Sequence, residues 1–139
     1  MMSFYLYVRT FITEPGPFTV KYPEHIILNG IWKVALVDWR LTRRPEPGGV
    51  FILADICDWS SISDMVNIVH KKAQVLRWTH DIGNNPSQPI YVPVIVQEFD
   101  AITFDIIKAR TEGYAPGFAN KGQNFTLFVL HLKKDGLDI

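Results

Sequence analysis

The sequence predicts an all-β fold, a sandwich or barrel of about eight short strands, and three observations support this. Short apolar segments recur along the 139 residues. Turns rich in proline and glycine separate them, as at residues 14–17, 44–49 and 115–117. Aromatic residues, which favour strands, make up 13% of the chain. Many short strands at this spacing are typical of a sandwich or barrel, and the length fits one domain, residues 1–139.

The turn signals define the strands in the first half of the chain. The turn at residues 14–17 separates the first two strands, and Gly30 allows a tight entry into the strand that carries Trp32. The turn at residues 44–49 precedes the apolar run that contains Cys57. The predicted strands of this half are residues 4–12, 18–21, 26–28, 31–41 and 50–57.

The second half contains one ambiguous segment, residues 60–72. Ser61 or Ser63 could cap a short helix there, because apolar residues follow at helical spacing, but a strand over residues 65–69 fits as well. Loops rich in glycine, proline and asparagine punctuate the remainder, at residues 81–89 and 111–122. The other predicted strands are residues 74–79, 90–96, 101–109 and 124–132.

Two strands carry apolar residues on both faces, which a half-solvated sandwich strand would not. In the last strand Leu127 and Val129 alternate with Phe128 and Leu130, and residues 31–39 behave similarly. Each strand is therefore either buried centrally on both faces or turns its outward face to a neighbouring subunit, and in so small a domain we expect the second. The predicted core residues are Trp32, Val34, Leu36, Ile102, Phe104, Ile106, Leu127 and Val129. The predicted interface residues are Trp39, Phe128, Leu130 and Leu132.

Charge and cysteine content limit the partners that we expect. Fourteen basic and fourteen acidic residues give a net charge of zero, so no specific nucleic-acid partner is predicted. No apolar run approaches the roughly 18–20 residues that span a bilayer, so no membrane insertion is predicted. The single cysteine, Cys57, excludes an intrachain disulfide and fits a buried apolar position in a reducing compartment.

No arrangement of residues in the sequence indicates catalysis. The four histidines, His25, His70, His80 and His131, have no spacing typical of a metal site, and the sequence contains no phosphate-binding loop or nucleophile elbow. We therefore predict a protein that is not an enzyme, without cofactor, metal or catalytic residues. A weak site at His70, His80 and Asp81 remains an alternative.

Several strand motifs resemble a family of minor capsid proteins. The motifs are Phe4-Tyr5-Leu6, Tyr22-Pro23-Glu24, Leu28-Asn29-Gly30-Ile31-Trp32-Lys33-Val34-Ala35-Leu36, Tyr91-Val92-Pro93-Val94, Phe99-Asp100-Ala101-Ile102-Thr103-Phe104-Asp105-Ile106 and Val129-Leu130-His131-Leu132-Lys133. They are similar to those of the penton-type single jelly-roll proteins encoded by Polinton/Maverick elements and adintovirus-like viruses. The similarity covers about the first 40 and the last 65 residues. The middle is shortened, Lys33 replaces the family's usual Glu, and Leu132-Lys133 replaces Phe-Arg.

The resemblance implies a fold and a role. The fold would be a single jelly roll, a sandwich of two sheets. The role would be that of a viral structural protein that forms a homo-oligomer, a vertex pentamer by preference, and contacts the major capsid protein in a virion assembled inside the host cell.

Two alternatives use the same sandwich. A trimeric spike, fibre head or cement module would bind a receptor or glycan, with Trp59 and Tyr114 as candidate residues. A cupin-like enzyme would need a metal set that His70, His80 and His131 do not convincingly supply.

Overall fold

The computed structural model describes residues 3–12, 17–41, 50–58, 75–79, 83–84, 89–108 and 124–134. These residues form strands and connecting turns, and they contain no helix, so the predicted all-β sandwich is confirmed. The possible helix at residues 60–72 and the predicted strand at residues 65–69 lie outside the described residues. The described strands are β1 Ser3–Ile12, β2 Phe18–Ile27, β3 Trp32–Leu41, β4 Val50–Ala54, β5 Val75–Thr79, β6 Gly83–Asn84, β7 Val92–Pro93, β8 Glu98–Lys108 and β9 Asn124–Lys134.

The strands form two antiparallel sheets with the topology of a jelly roll. Sheet A has the order β1-β9-β3, with β6 and β7 both paired to β3, and sheet B has the order β2-β8-β4-β5. Because β6 pairs with Trp39 and Arg40 while β7 pairs with Lys33 and Val34, these two short strands share one position in sheet A. Each sheet therefore has four strand positions, and the chain crosses repeatedly between the sheets, as in a jelly roll.

The core lies between the two sheets. Phe104 of sheet B and Phe128 of sheet A meet across it with ring centroids 5.4 Å apart. Six of the predicted core residues are buried there with at most 6% of their surface exposed: Trp32, Val34, Leu36, Ile102, Phe104 and Ile106.

The two faces of β9 are the reverse of those predicted. Phe128, Leu130 and Leu132, predicted at a subunit interface, have no exposed surface and lie in the core. Leu127 and Val129, predicted in the core, lie on the opposite face and are only partly buried. Both faces of this strand are apolar, so its own alternation cannot choose between them.

The neighbouring strand β1 decides which face of β9 turns inward. Leu6 and Val8 are buried and stand opposite Leu130 and Phe128, whereas Tyr5 and Tyr7 are exposed on the other face. Strand pairing forces residues that stand opposite each other onto the same face of the sheet. The side of sheet A that carries Leu6 and Val8 is therefore the side that lies in the core.

A β-bulge explains a second correction, at Trp39. The register of β3 against β9 shifts between Leu36 and Asp38, so that Val37 is the extra residue. Because of this extra residue, the side chains that follow it lie on the opposite face from the one that simple alternation along β3 predicts. Trp39 therefore faces inward, opposite Phe128, with 2% of its surface exposed, and it is a core residue and not the predicted interface residue.

Strand β4 is buried on both faces. Phe51, Ile52, Leu53 and Ala54 are consecutive, and none exposes more than 1% of its surface. A continuous apolar run is the pattern expected of a strand that is buried on both sides.

Other boundaries differ locally from the prediction. The predicted segments 18–21 and 26–28 belong mainly to one strand, β2, whose pairing with β8 is interrupted between Lys21 and Ile26. The predicted strand 50–57 ends at Ala54, where a turn begins, and Cys57 then forms an isolated bridge with Val94. The predicted loop 81–89 contains β6.

Candidate functional site

The described residues do not bring together the side chains of a metal site. No group of three or more His, Cys, Asp or Glu side chains clusters within these ranges. The Nε2 atom of His25 lies 2.6 Å from Oε1 of Glu98, within hydrogen-bonding distance, and both side chains are more than half exposed. His70, His80, Asp81, Trp59 and Tyr114 lie outside the described residues. In the same part of the chain, no helix is long and apolar enough to cross a membrane.

Cys57 is a buried free thiol. Burial, followed by the charge of Asp58, raises the pKa of this thiol, so the reactive thiolate form is disfavoured. Its Sγ lies 3.4 Å from the carbonyl oxygen of Ala54, to which it donates a weak hydrogen bond. These contacts fit the packing role that the sequence predicted for Cys57.

Exposed isoleucines lie at one end of the sandwich, on two chain segments, residues 27–32 and 94–97. The backbone N–H of Leu28 donates to the carbonyl of Gln97, and that of Val94 donates to the carbonyl of Trp32, so the two segments run side by side. This surface, the isoleucine end, is formed by Ile27, Ile31 and Ile95, which expose 62%, 71% and 55% of their surface.

Gly30 shapes the isoleucine end. Its φ of 95° lies in the left-handed region, which glycine adopts without a steric penalty. The turn is fixed by the indole Nε1–H of Trp32, which donates to the carbonyl of Asn29 at 2.9 Å. Trp32 thereby anchors the turn to the core while Ile31 points to solvent.

A second feature, the outer patch, lies on the face of sheet A that points away from sheet B. It consists of Tyr5, Lys33, Tyr91, His131 and Lys133. The ring of Tyr5 stacks on that of His131 with centroids 4.5 Å apart. The hydroxyl of Tyr91 lies 2.7 Å from Nδ1 of His131.

The small side chain of Ala35 makes this arrangement possible. Ala35 stands opposite His131 on β9, and the pairing of Val34 with Val92 places Tyr91 on the other side of Ala35. Tyr91 therefore reaches His131 across Ala35, which has no exposed surface although it lies on the outer face. A larger residue at this position would obstruct the contact.

Both lysines of the outer patch approach the ring of Tyr91. The Nζ atoms of Lys133 and Lys33 lie 4.2 Å and 5.9 Å from its centroid, within the range of cation–π contacts. Burial and then the charge of Lys133 lower the pKa of His131, so its imidazole is neutral at pH 7 and Nδ1 can accept the hydrogen bond from Tyr91.

The sequence did not predict the outer patch. Its members come from β1, β3, β9 and the segment before β7, and only strand pairing brings them together. The alternation of Tyr5 and Tyr7 with Leu6 and Val8 was the available signal, since it marks one face of β1 as aromatic and polar.

Comparisons of this chain with protein-family models, with curated proteins and with solved structures give no match.

Proposed function

We propose that this protein is a structural component of a virion, a minor capsid or penton-like single jelly roll that assembles with copies of itself. The jelly-roll order of the two sheets supports the proposal, because this architecture is widely used in viral capsids. The proposed assembly is a vertex pentamer in contact with the major capsid protein. Its proposed location is the virion, after assembly inside the host cell.

The isoleucine end is the observation that carries this proposal. Three isoleucines on these two neighbouring segments each expose more than half of their surface, and we propose that together they form the kind of apolar patch that marks protein–protein contacts. The surface combines residues from both segments, so it depends on the folded sandwich. We propose that it packs against a neighbouring subunit, in place of the Phe128 face that the sequence indicated.

Light scattering coupled to size exclusion, which gives the native mass, tests the proposal. We expect a mass five times that of the 15.9 kDa chain. An Ile31→Asp, Ile95→Asp double variant should lower the mass to that of one chain while its circular dichroism stays unchanged. Lys21→Glu, at an exposed position on β2, is the matched control and should keep the assembled mass.

Three results would change the proposal. A wild-type protein that stays monomeric at high concentration would contradict self-assembly. A mass three times that of the chain would favour a spike, fibre or cement protein. An assembled double variant would show that the contacts lie elsewhere than at the isoleucine end.

A receptor- or glycan-binding module is the second candidate function. The observation in its favour is the pair Tyr5 and Tyr7, which expose 53% and 62% of their surface on the same face of β1. Exposed aromatic rings with polar tips are typical of recognition surfaces.

A further inference from the structure

We propose that the far edge of β1, which points away from β9, pairs strand to strand with the same edge of a second copy of this chain. The two β1 strands would run antiparallel about a two-fold axis at Tyr7, so that sheet A continues from one copy into the other. This contact is separate from the isoleucine end and does not depend on the proposed capsid role, so the tests of the two proposals can fail separately.

The position and regularity of β1 are the first argument. The strand lies at the end of sheet A, and among the described strands only β9 pairs with it. Its register against β9 is unbroken over all ten residues, Ser3–Ile12. The backbone groups that point away from β9 therefore form a regular row, which is about 34 Å long at about 3.4 Å per residue. A row of this kind is a ready template for another strand.

The other edge strands carry features that protect an edge, and β1 does not. Strand β2, at the end of sheet B, contains Pro23, and its pairing with β8 is interrupted between Lys21 and Ile26. Strand β5 has five residues, and β6 and β7 have two each. Proline, irregular pairing and short length are common ways in which a sheet edge avoids association. Strand β1 has none of these, and its single charged residue is Arg9.

The outer face of β1 complements itself about Tyr7, and this favours a second copy as the occupant. Tyr7 would stand opposite Tyr7 of the partner subunit, and Tyr5 would stand opposite Arg9 of the partner subunit. All three side chains are exposed, and the two tyrosines expose 53% and 62% of their surface. Aromatic pairs and cation–π contacts between neighbouring strands stabilise a sheet.

The inner face and the charge of the chain favour the same register. Leu6 would stand opposite Val8 of the partner subunit, so two buried apolar positions would meet where the sheets join. Pairing about Tyr7 places no like charges opposite each other, whereas pairing about Arg9 would bring two guanidinium groups together. Because the net charge is zero, overall repulsion does not hold two copies apart.

The size of the contact sets the concentration at which it should form. A single pair of strands covers less surface than the roughly 1,200–2,000 Å² of stable interfaces. We therefore expect this association at near-millimolar and not at micromolar concentration. The native mass of the dilute protein should accordingly be unaffected by it.

Hydrogen exchange of the isotope-labelled full chain, measured by NMR at micromolar and at near-millimolar concentration, tests the proposal. In an antiparallel ladder, every second residue of a strand points its N–H group towards a given neighbour. We expect alternate amides of β1 to exchange rapidly in the dilute sample and slowly in the concentrated one. The amides that are bonded to β9 should be protected in both samples.

The same substitution at two tyrosines tests the register, with the affinity measured by light scattering over a range of concentrations. Tyr5→Glu would place a carboxylate opposite Arg9 of the partner subunit and should tighten the association about threefold or more, because each dimer gains two opposite-charge pairs. Tyr7→Glu would place two carboxylates opposite each other and should weaken it by a similar factor. Tyr7→Phe keeps the ring and is the matched control, which should leave the affinity unchanged.

The Ile31→Asp, Ile95→Asp double variant separates this contact from the isoleucine end. It leaves β1 intact, so its mass should rise with concentration from one chain. The rise should stop at two chains, because each chain has one far edge of β1 and pairing about a two-fold axis uses both edges.

Any of four results would overturn the proposal. They are protection of all β1 amides in the dilute sample, which would show that the edge is already covered, no added protection at near-millimolar concentration, the same effect of Tyr5→Glu and Tyr7→Glu on the affinity, and a mass of the double variant that rises beyond two chains.

Discussion

Replacing Phe128 by Ala tests the orientation of β9, on which the core of sheet A depends. The Phe128 side chain has no exposed surface, packs against Phe104 and stands opposite Val8 and Trp39. Truncation of a buried Phe to Ala costs about 3–5 kcal/mol, because apolar contacts are lost and a cavity remains. The same change at Val129, which is partly buried on the outer face, should cost about 1 kcal/mol.

Urea unfolding, followed by tryptophan fluorescence, measures both changes. With an m-value of about 2 kcal/mol/M, a loss of about 4 kcal/mol lowers the midpoint by about 2 M, against about 0.5 M for Val129→Ala. The two variants lie at adjacent positions on opposite faces of β9, and Phe128→Ala also removes the larger side chain. A larger loss for Val129→Ala than for Phe128→Ala would refute the described register of β9.

Three further predictions concern single positions. Gly30→Ala should lower the free energy of unfolding by about 1–2 kcal/mol, because φ is positive at this position. Adding Lys134→Ala should not restore the lost stability. If it did, the loss would come from contact of the new methyl group with the Lys134 side chain and not from the backbone. The pKa of His131 is lowered in the folded protein, so the unfolded chain binds a proton more readily and stability should fall as the pH drops below about 6.5. Lys133→Gln should raise the pKa of His131 in an NMR titration. An unchanged pKa would contradict the role of Lys133. Burial raises the pKa of Tyr22 to about 12, so the protein should lose stability as the pH rises from about 10. Tyr22→Phe should remove this pH dependence and leave the free energy of unfolding at pH 7 unchanged, because the buried hydroxyl has no partner among the described residues. A loss of more than about 1 kcal/mol at pH 7 would contradict this.

Phe128→Glu also separates the two assignments of β9. If Phe128 lay at a subunit interface, as the sequence predicted, this variant would be a folded monomer. In the structure the new carboxylate would be buried between the sheets, where an unpaired charge is strongly unfavourable. We now expect the variant to be unfolded by circular dichroism, and a folded variant would contradict the core position of Phe128.

The sequence was sufficient to predict most strands because their signals are local. Turn residues bounded β1 and β3, and the aromatic and branched residues between them favoured extended chain. The core positions Ile102, Phe104 and Ile106 also followed from the alternation along β8. These features depend on neighbours within a few residues, which a sequence pattern records.

The orientation of two strands could not be predicted from their own residues. Trp39 changes face because of a one-residue bulge at Val37, and nothing in the local alternation marks that insertion. Phe128 and Val129 are both apolar, so only the pairing of β9 with β1 determines which of them turns inward. The outer patch was missed for the same reason, since His131 and Tyr91 are 40 residues apart in the chain.

By itself, the sequence determined that this chain forms an all-β sandwich of short strands, because strand propensity and turn chemistry act locally. The tertiary structure decided which face of each two-sided strand is buried, which isoleucines stay in solvent, and that Tyr5, Tyr91 and His131 meet beside two lysines. The physical reason is that burial and side-chain contact are properties of paired strands, and a shift of one residue in the pairing exchanges the two faces.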